Sequence, residues 1–237
     1  PTPTISLPTA TPPPSGPVVQ APWSAPPILD GTIADDEWAS ALRVEMAGGD
    51  ELWLMQDGSY LYLAIRAQGM PMGSLCLDRG EEVAILHASA ALGTVLFRRD
   101  GETWSQTRTF SWRCRGTDDS AEAVQERQAF LQDEGWLASN GNMGQLNDLE
   151  YQIAMPEGSL RLAVLYRAGP DFGIAPGWPA DLDDGCREFE QAEGEPQVPL
   201  PFSPEQWVTI QAAPPSGGLI AFVSTRDGNG EIYVMNA

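Results

Sequence analysis

ELWLMQDGSYLYLAIRA, residues 51–67, decides the fold. Two β-prone runs, 51–56 and 60–67, flank Asp57-Gly58-Ser59. An Asp-Gly turn between two such runs is a hairpin signal. Outward from it, short alternating runs follow at 74–77, 83–88 and 94–99, and Asp100-Gly101 turns the chain into 103–113 (TWSQTRTFSWR). Two Asp-Gly turns between β-prone runs predict an antiparallel meander. The strands resume at 149–155 and 160–167, and 206–211 makes a last one.

One segment breaks this period. Residues 118–134 (DDSAEAVQERQAFLQDE) contain neither Pro nor Gly and are rich in helix formers. Ala121, Val124, Phe130 and Leu131 form an irregular apolar stripe, Asp118 or Asp119 caps the start, and Gly135 stops the helix. Residues 169–204 read as a long Pro/Gly/acid loop. The expected fold class is therefore all-β: an antiparallel β-sandwich, jelly-roll-like, with one inserted helix.

At the N-terminal side, residues 1–27 are rich in Pro, Thr, Ser and Ala. Such a tract favours extended polyproline II and buries no core. It is expected to be disordered, either as a spacer or as a plain linker. The domain is expected over 28–211, with a short linker at 212–218. No apolar run approaches the roughly 20 residues that a membrane span requires, so the chain is not expected to insert in a membrane.

The formal net charge is −20, and all 13 basic residues are arginine. So acidic a surface repels nucleic acid and anionic lipid, which excludes both as expected partners. Cys76, Cys114 and Cys186 are too widely spaced for a zinc knuckle or a Cys-x-x-Cys pair. One disulfide with one thiol left over suits an exported protein. Cys114 and Cys186 are the expected pair, because each flanks polar loop residues. Cys76, inside Ser-Leu-Cys-Leu, is expected to pack as a small hydrophobe.

Three stretches carry a resemblance to one family. Residues 28–38 (ILDGTIADDEW) resemble the opening of family-nine carbohydrate-binding modules and their DOMON-like relatives, where an apolar-Asp-Gly turn is followed by Glu-Trp. Residues 149–156 (LEYQIAMP) resemble a later strand of that family, and Tyr60-Leu61-Tyr62-Leu63-Ala64 its second strand. The resemblance implies an antiparallel β-sandwich that binds sugars in some members and haem or redox groups in others. The chain departs from the haem-binding pattern, which needs an axial Met and His, since His87 is its only histidine. It also departs in the helix, which is an insertion by comparison. Residues 219–237 (LIAFVSTRDGNGEIYVMNA) resemble the opening of one blade of a TolB-like β-propeller. One blade closes no propeller, so the chain is expected to be a piece of a longer protein.

Sugar binding needs exposed aromatic faces with polar groups beside them. Of the eight tryptophans, Trp136 and Trp178 sit next to glycines in expected loops and are the best candidates for a ligand-binding platform, while burial is the better expectation for any single tryptophan. Trp38 is expected to cap one end of the core. Trp104 and Trp112 share one face if their strand is regular. Asp181, Asp183 and Asp184 supply hard oxygen ligands of the kind that hold Ca²⁺, although the spacing is not that of a twelve-residue EF-hand loop. A solvated acidic loop is the favoured reading of the three, and a Ca²⁺ site the alternative. Asp227-Gly228-Asn229-Gly230 is likewise better explained as a propeller turn than as half a calcium loop. His87 is expected to be a strand histidine with a hydrogen bond.

Neither a Gly-x-Ser-x-Gly elbow nor a His-Glu-x-x-His motif occurs. The 33 carboxylates offer no basis for choosing a catalytic pair. The expected function is non-catalytic and extracytoplasmic: binding a glycan or a surface protein, with no cofactor beyond Ca²⁺. The alternative is a structural or interaction domain that presents a propeller or serves a larger peptidase-like enzyme.

Overall fold

A computed structural model of the chain describes residues 16–46, 48–69, 71–89, 91–111, 113–114, 120–139, 148–155, 159–192, 199–213, 219–224 and 231–236. The first strands are β1 (Val18–Ala21), β2 (Leu42–Glu45), β3 (Glu51–Gln56), β4 (Tyr60–Arg66), β5 (Met72–Asp78), β6 (Glu82–Ala88), β7 (Leu92–Asp100) and β8 (Thr103–Arg108). Helix α1 (Ala121–Glu134) precedes β9 (Trp136–Ser139), β10 (Leu149–Ala154), β11 (Ser159–Ala168) and β12 (Gly173–Ile174). Helix α2 (Gly185–Gln191), β13 (Val208–Ala212), β14 (Leu219–Ser224) and β15 (Glu231–Asn236) complete the order.

Two sheets form an all-β sandwich. The larger runs β1-β13-β11-β5-β6-β7-β8 with β12 beside β11, and the smaller runs β2-β3-β4-β10-β9. Pairing is antiparallel except that β1 runs parallel to β13. The hairpin of residues 51–67 is β3–β4, in register Leu54↔Leu63, with Gly58 at φ 92 in its turn. Only glycine adopts that backbone without strain.

Period-two alternation gives each strand two faces, and here both are buried. Leu61, Leu63 and Ile65 of β4 meet Leu75, Leu77, Val164 and Tyr166 of the large sheet in the inter-sheet core. The opposite face of β3 and β4 (Trp53, Met55, Tyr62, Ala64) lies under Ile33 and Trp38 of the segment before β2. The outer face of the large sheet (Cys76, Val83, Ile85, Phe97, Leu165) lies under Leu182, Cys186, Phe202 and Trp207. Tyr151 Oη donates to Gly73 O (3.0 Å) and Trp136 Nε1 to Thr94 Oγ1 (2.9 Å) across the two sheets, and Tyr166 Oη donates to Asp50 Oδ2 (2.6 Å) just before β3.

The structure corrects several boundaries. β1 lies inside the stretch expected to be a disordered linker, since Val18 and Val19 between Pro17 and Pro22 form a short edge strand on β13. α2 lies inside the expected loop. α1 starts at Ala121, where the Ser120 side chain accepts from Ala123 N, while 115–119 lie outside the described residues. Gly135 stops α1 as expected, at φ 73 with its N–H on Leu131 O. β8 ends at Arg108, short of the expected 113. Trp38 does not cap an end of the core; wholly buried, it covers the outer face of the small sheet. Among the described residues, β14 and β15 pair only with each other, as a two-stranded sheet.

The expected disulfide is also corrected. Cys76 bonds to Cys186, and Cys114 is buried and takes no part in that bond. Alternation turns Cys76 away from Leu75 and Leu77 to the outer face of β5, where α2 packs. Among the described residues, no helix is long and apolar enough to cross a membrane.

Candidate functional site

The expected aromatic platform does not exist as an exposed pair. Trp136 opens β9, is wholly buried, and packs on Phe130 and Tyr151. Trp178 is half-buried against the inter-sheet core, and its backbone pairs with Val164. Trp104 is buried with its Nε1 donating to Phe202 O at 3.1 Å, while Trp112 lies outside the described residues.

The acidic set is corrected in the same way. Asp184 is the N-cap of α2. Its oxygens accept from Cys186 N (2.9 Å), Ser203 N (3.0 Å) and Trp207 Nε1 (2.8 Å). The carboxylate is thus spent on the helix and on holding the chain before β13, while Asp181 and Asp183 are exposed. Among the described residues, no three His, Cys, Asp or Glu side chains are grouped to hold a metal ion. Residues 227–230 lie outside the described residues.

Two buried carboxylates organise the domain. Glu150 of β10 accepts from Asp30 N (3.0 Å), Gly31 N (2.7 Å) and Trp38 Nε1 (3.0 Å). Burial pushes its carboxyl up to about 7 against the pull of those donors. Glu134, the last residue of α1, is ringed by arginines: Arg108 at 2.5 Å and Arg113 on its carboxylate, and Arg79 on its carbonyl at 3.3 Å. Burial raises the Glu134 carboxyl, but the Arg108 and Thr94 hydrogen bonds and the charges of Arg108 and Arg113 outweigh it, and its pKa lies below the ordinary value.

A third cluster has the composition of a catalytic triad without its logic. Ser74 Oγ donates to Glu190 Oε2 at 2.7 Å and lies 3.0 Å from His87 Nδ1. A nucleophilic serine gives its proton to the histidine, which the acid orients. Here the serine stands between the other two and gives its one proton to the acid. Ser74 and Glu190 are both buried, and Arg167 Nε donates to Glu190 at 2.9 Å. The cluster fastens α2 to the sheet beside the disulfide. His87 has its expected hydrogen bond on β6.

A cleft of about 690 Å³ opens where three elements end. Leu77 and Asp78 end β5 and Arg79 follows it, residues 132–135 come from the end of α1, Ile153 and Ala154 end β10 and Met155 follows it, and Leu160 is near the start of β11. Leu77, Ile153 and Leu160 belong to the inter-sheet core and make an apolar floor. A guanidinium, carboxylates and the Gln132 amide stand around it. Such a combination binds small polar molecules with an apolar face, and the volume is within the roughly 300–1,000 Å³ of ligand pockets. Sequence reading located the strand at 74–77 and the Gly135 helix stop separately. Nothing in their spacing brings them to one end of the sandwich. A second, smaller cleft of about 370 Å³ lies between Pro17 and the 179–182 segment.

No family model and no curated protein matches the chain. Among solved structures, it is similar to a family-nine carbohydrate-binding module from Caldicellulosiruptor kristjanssonii in complex with cellotriose. That match has 10% identity and a TM-score of 0.40, covering 84% of this chain and 95% of that one. It is also similar to a putative carbohydrate-binding protein from Bacteroides uniformis, at 9% identity and a TM-score of 0.43, covering 84% of this chain and 100% of that one.

Proposed function

We propose that the sandwich is a non-catalytic, extracytoplasmic module that binds a glycan of the cell surface or its surroundings, and that the ligand sits in the cleft between the ends of α1, β5 and β10. The observation that carries this reading is the cleft itself, where an apolar floor meets planar hydrogen-bonding groups. A sugar ring offers one face of C–H groups to such a floor, and its hydroxyls meet amide, carboxylate and guanidinium groups. The resemblance of residues 28–38 and 149–156 to carbohydrate-binding modules agrees with it, and the Cys76–Cys186 bond suits an oxidising compartment. Hairpin β14–β15 suits the opening of a propeller blade, for which the sandwich would be a neighbouring domain.

Affinity electrophoresis against soluble polysaccharides, with pull-down on insoluble ones, tests the reading. Retention is expected for the natural chain. It is expected to be lost in Ala154→Trp, which fills the cleft from an exposed strand position without touching the core. No retention on any polysaccharide overturns it.

One observation favours a second reading, a structural or interaction domain: none of the described tryptophans is exposed. Glycan binding by an aromatic platform is therefore not what these residues build. Absence of retention, together with capture of the separately produced propeller, would decide for the second reading.

A further inference from the structure

The cleft is lined by one guanidinium, Arg79, and three carboxylates. Asp78, Asp133 and Glu134 line it, and each is already paired. Asp78 meets Arg161 at 3.0 Å, Asp133 meets Arg113 at 3.0 Å, and Glu134 meets Arg108 at 2.5 Å and Arg113 as well. Outside the cleft, neighbouring Glu82 is taken by Arg98 at 2.8 Å. Among the described residues, Arg79 forms no ion pair; its guanidinium reaches the carbonyl of Glu134 at 3.3 Å, at the end of α1. Each lining carboxylate is thus held by an arginine other than Arg79.

Arg79 is also firmly presented. Its backbone N–H donates to Glu82 O at 2.8 Å, and Gly80 N donates to Asp78 Oδ1 at 2.8 Å, closing the tight β5–β6 turn. A guanidinium has five N–H donors in a planar fork that matches a carboxylate. One contact to a carbonyl leaves most of them for a ligand. The chain's overall charge of −20 does not decide the local field. At physiological salt, charges beyond a Debye length of about 8 Å are largely screened, whereas a group in contact with Arg79 is not.

We propose that the cleft selects an acidic sugar, a uronic acid unit whose carboxylate pairs with Arg79 while its ring lies on the Leu77–Ile153–Leu160 floor. The proposal rests on the glycan-binding reading above and narrows it to one chemical class.

The test is calorimetric titration of the natural chain with an oligogalacturonide, the matching neutral galacto-oligosaccharide, and a poly-glutamate of the same charge, at physiological salt. A charge-assisted pair predicts at least about tenfold tighter binding of the uronide than of the neutral sugar. Arg79→Gln is expected to remove that preference, Arg79→Lys to restore part of it, and Ala154→Trp to abolish binding of both sugars. Circular dichroism and thermal unfolding of Arg79→Gln separate a binding role from support of α1. A melting loss with the uronide preference intact overturns the proposal, since Arg79 then serves the helix alone. Equal affinity for the two sugars overturns it and leaves the glycan reading standing. Poly-glutamate binding as tightly as the uronide overturns the sugar assignment. Binding of neither sugar overturns this proposal and the glycan reading together.

Discussion

Trp38 gives its indole N–H to Glu150 Oε1 at 3.0 Å, across 112 residues of sequence. The same carboxylate takes the N–H groups of Asp30 and Gly31 on its other oxygen. Two of the stretches that carry the sequence resemblance, 28–38 and the strand that holds Glu150, are therefore one structural unit. A turn and a tryptophan on one side close over a strand carboxylate on the other. This is where the segment before β2 is fastened over the outer face of the small sheet. Trp38→Phe keeps most of the ring but leaves Glu150 one donor short in a dry site. The expected cost is at least about 2 kcal/mol of unfolding free energy by urea denaturation. A change below about 0.5 kcal/mol, the range of surface substitutions, would show that the bond does not hold the segment.

Glu150 and Glu134 predict opposite pH dependences. Glu150 is raised by burial to about 7, from an ordinary 4.5. Between those values the unfolded chain has lost a proton that the folded chain keeps. Stability from this group therefore falls as pH rises through that window and is flat above it, by about 3 kcal/mol in all. Glu134 is lowered by its arginines, so its contribution is present above pH 4.5 and is lost as pH falls through its folded value. Stability curves of Glu150→Gln and Glu134→Gln, each subtracted from the natural chain, should slope in opposite directions. Parallel slopes would refute the assignment.

Trp136→Ala should act on stability. Its ring is wholly buried between Phe130 of α1 and Tyr151 of β10, and its Nε1 bonds Thr94 across the sandwich. Truncation is expected to cost about 3–5 kcal/mol by denaturation. Any ligand bound by the folded variant should keep its affinity. Lost affinity with unchanged stability would return Trp136 to the binding surface.

The sandwich was legible because its strands alternate, and the hairpin β3–β4 is visible from its turn residues alone. What covers the outer faces was not. Ser74, Cys76 and their neighbours could be assigned to the face opposite Leu75 and Leu77 by parity. No local pattern says that a helix more than a hundred residues later lies on that face. α2 was hidden by its own start signal, since Asp184 ahead of Gly185 and Cys186 was grouped with Asp181 and Asp183 as an ion site when it is a helix cap. Trp136 was placed in a loop because the Gly135 stop was taken to open one, whereas the chain turns there directly into β9. β1 and β2 were missed as four-residue strands, too short for alternation to stand out. The cleft joins the ends of elements far apart in sequence, and only the fold brings Arg79 to the end of α1.

The Cys76–Cys186 bond tests the covering of the outer face most directly. It joins the middle of β5 to the first turn of α2, beside the Ser74–Glu190 and Arg167–Glu190 contacts. Peptide mapping without reductant should recover a Cys76–Cys186 link and an alkylatable Cys114 only after unfolding, since Cys114 is buried. The link spans 110 residues, and closing a loop of that size stabilises by roughly 4–5 kcal/mol in the chain-entropy model. Cys76→Ala should therefore lower stability by an amount of that order, whereas Cys114→Ala should leave the link intact and change stability far less. A Cys114–Cys186 link in the map would mean that α2 does not pack on β5. The outer face of the large sheet would then need another cover for Val83, Ile85 and Phe97.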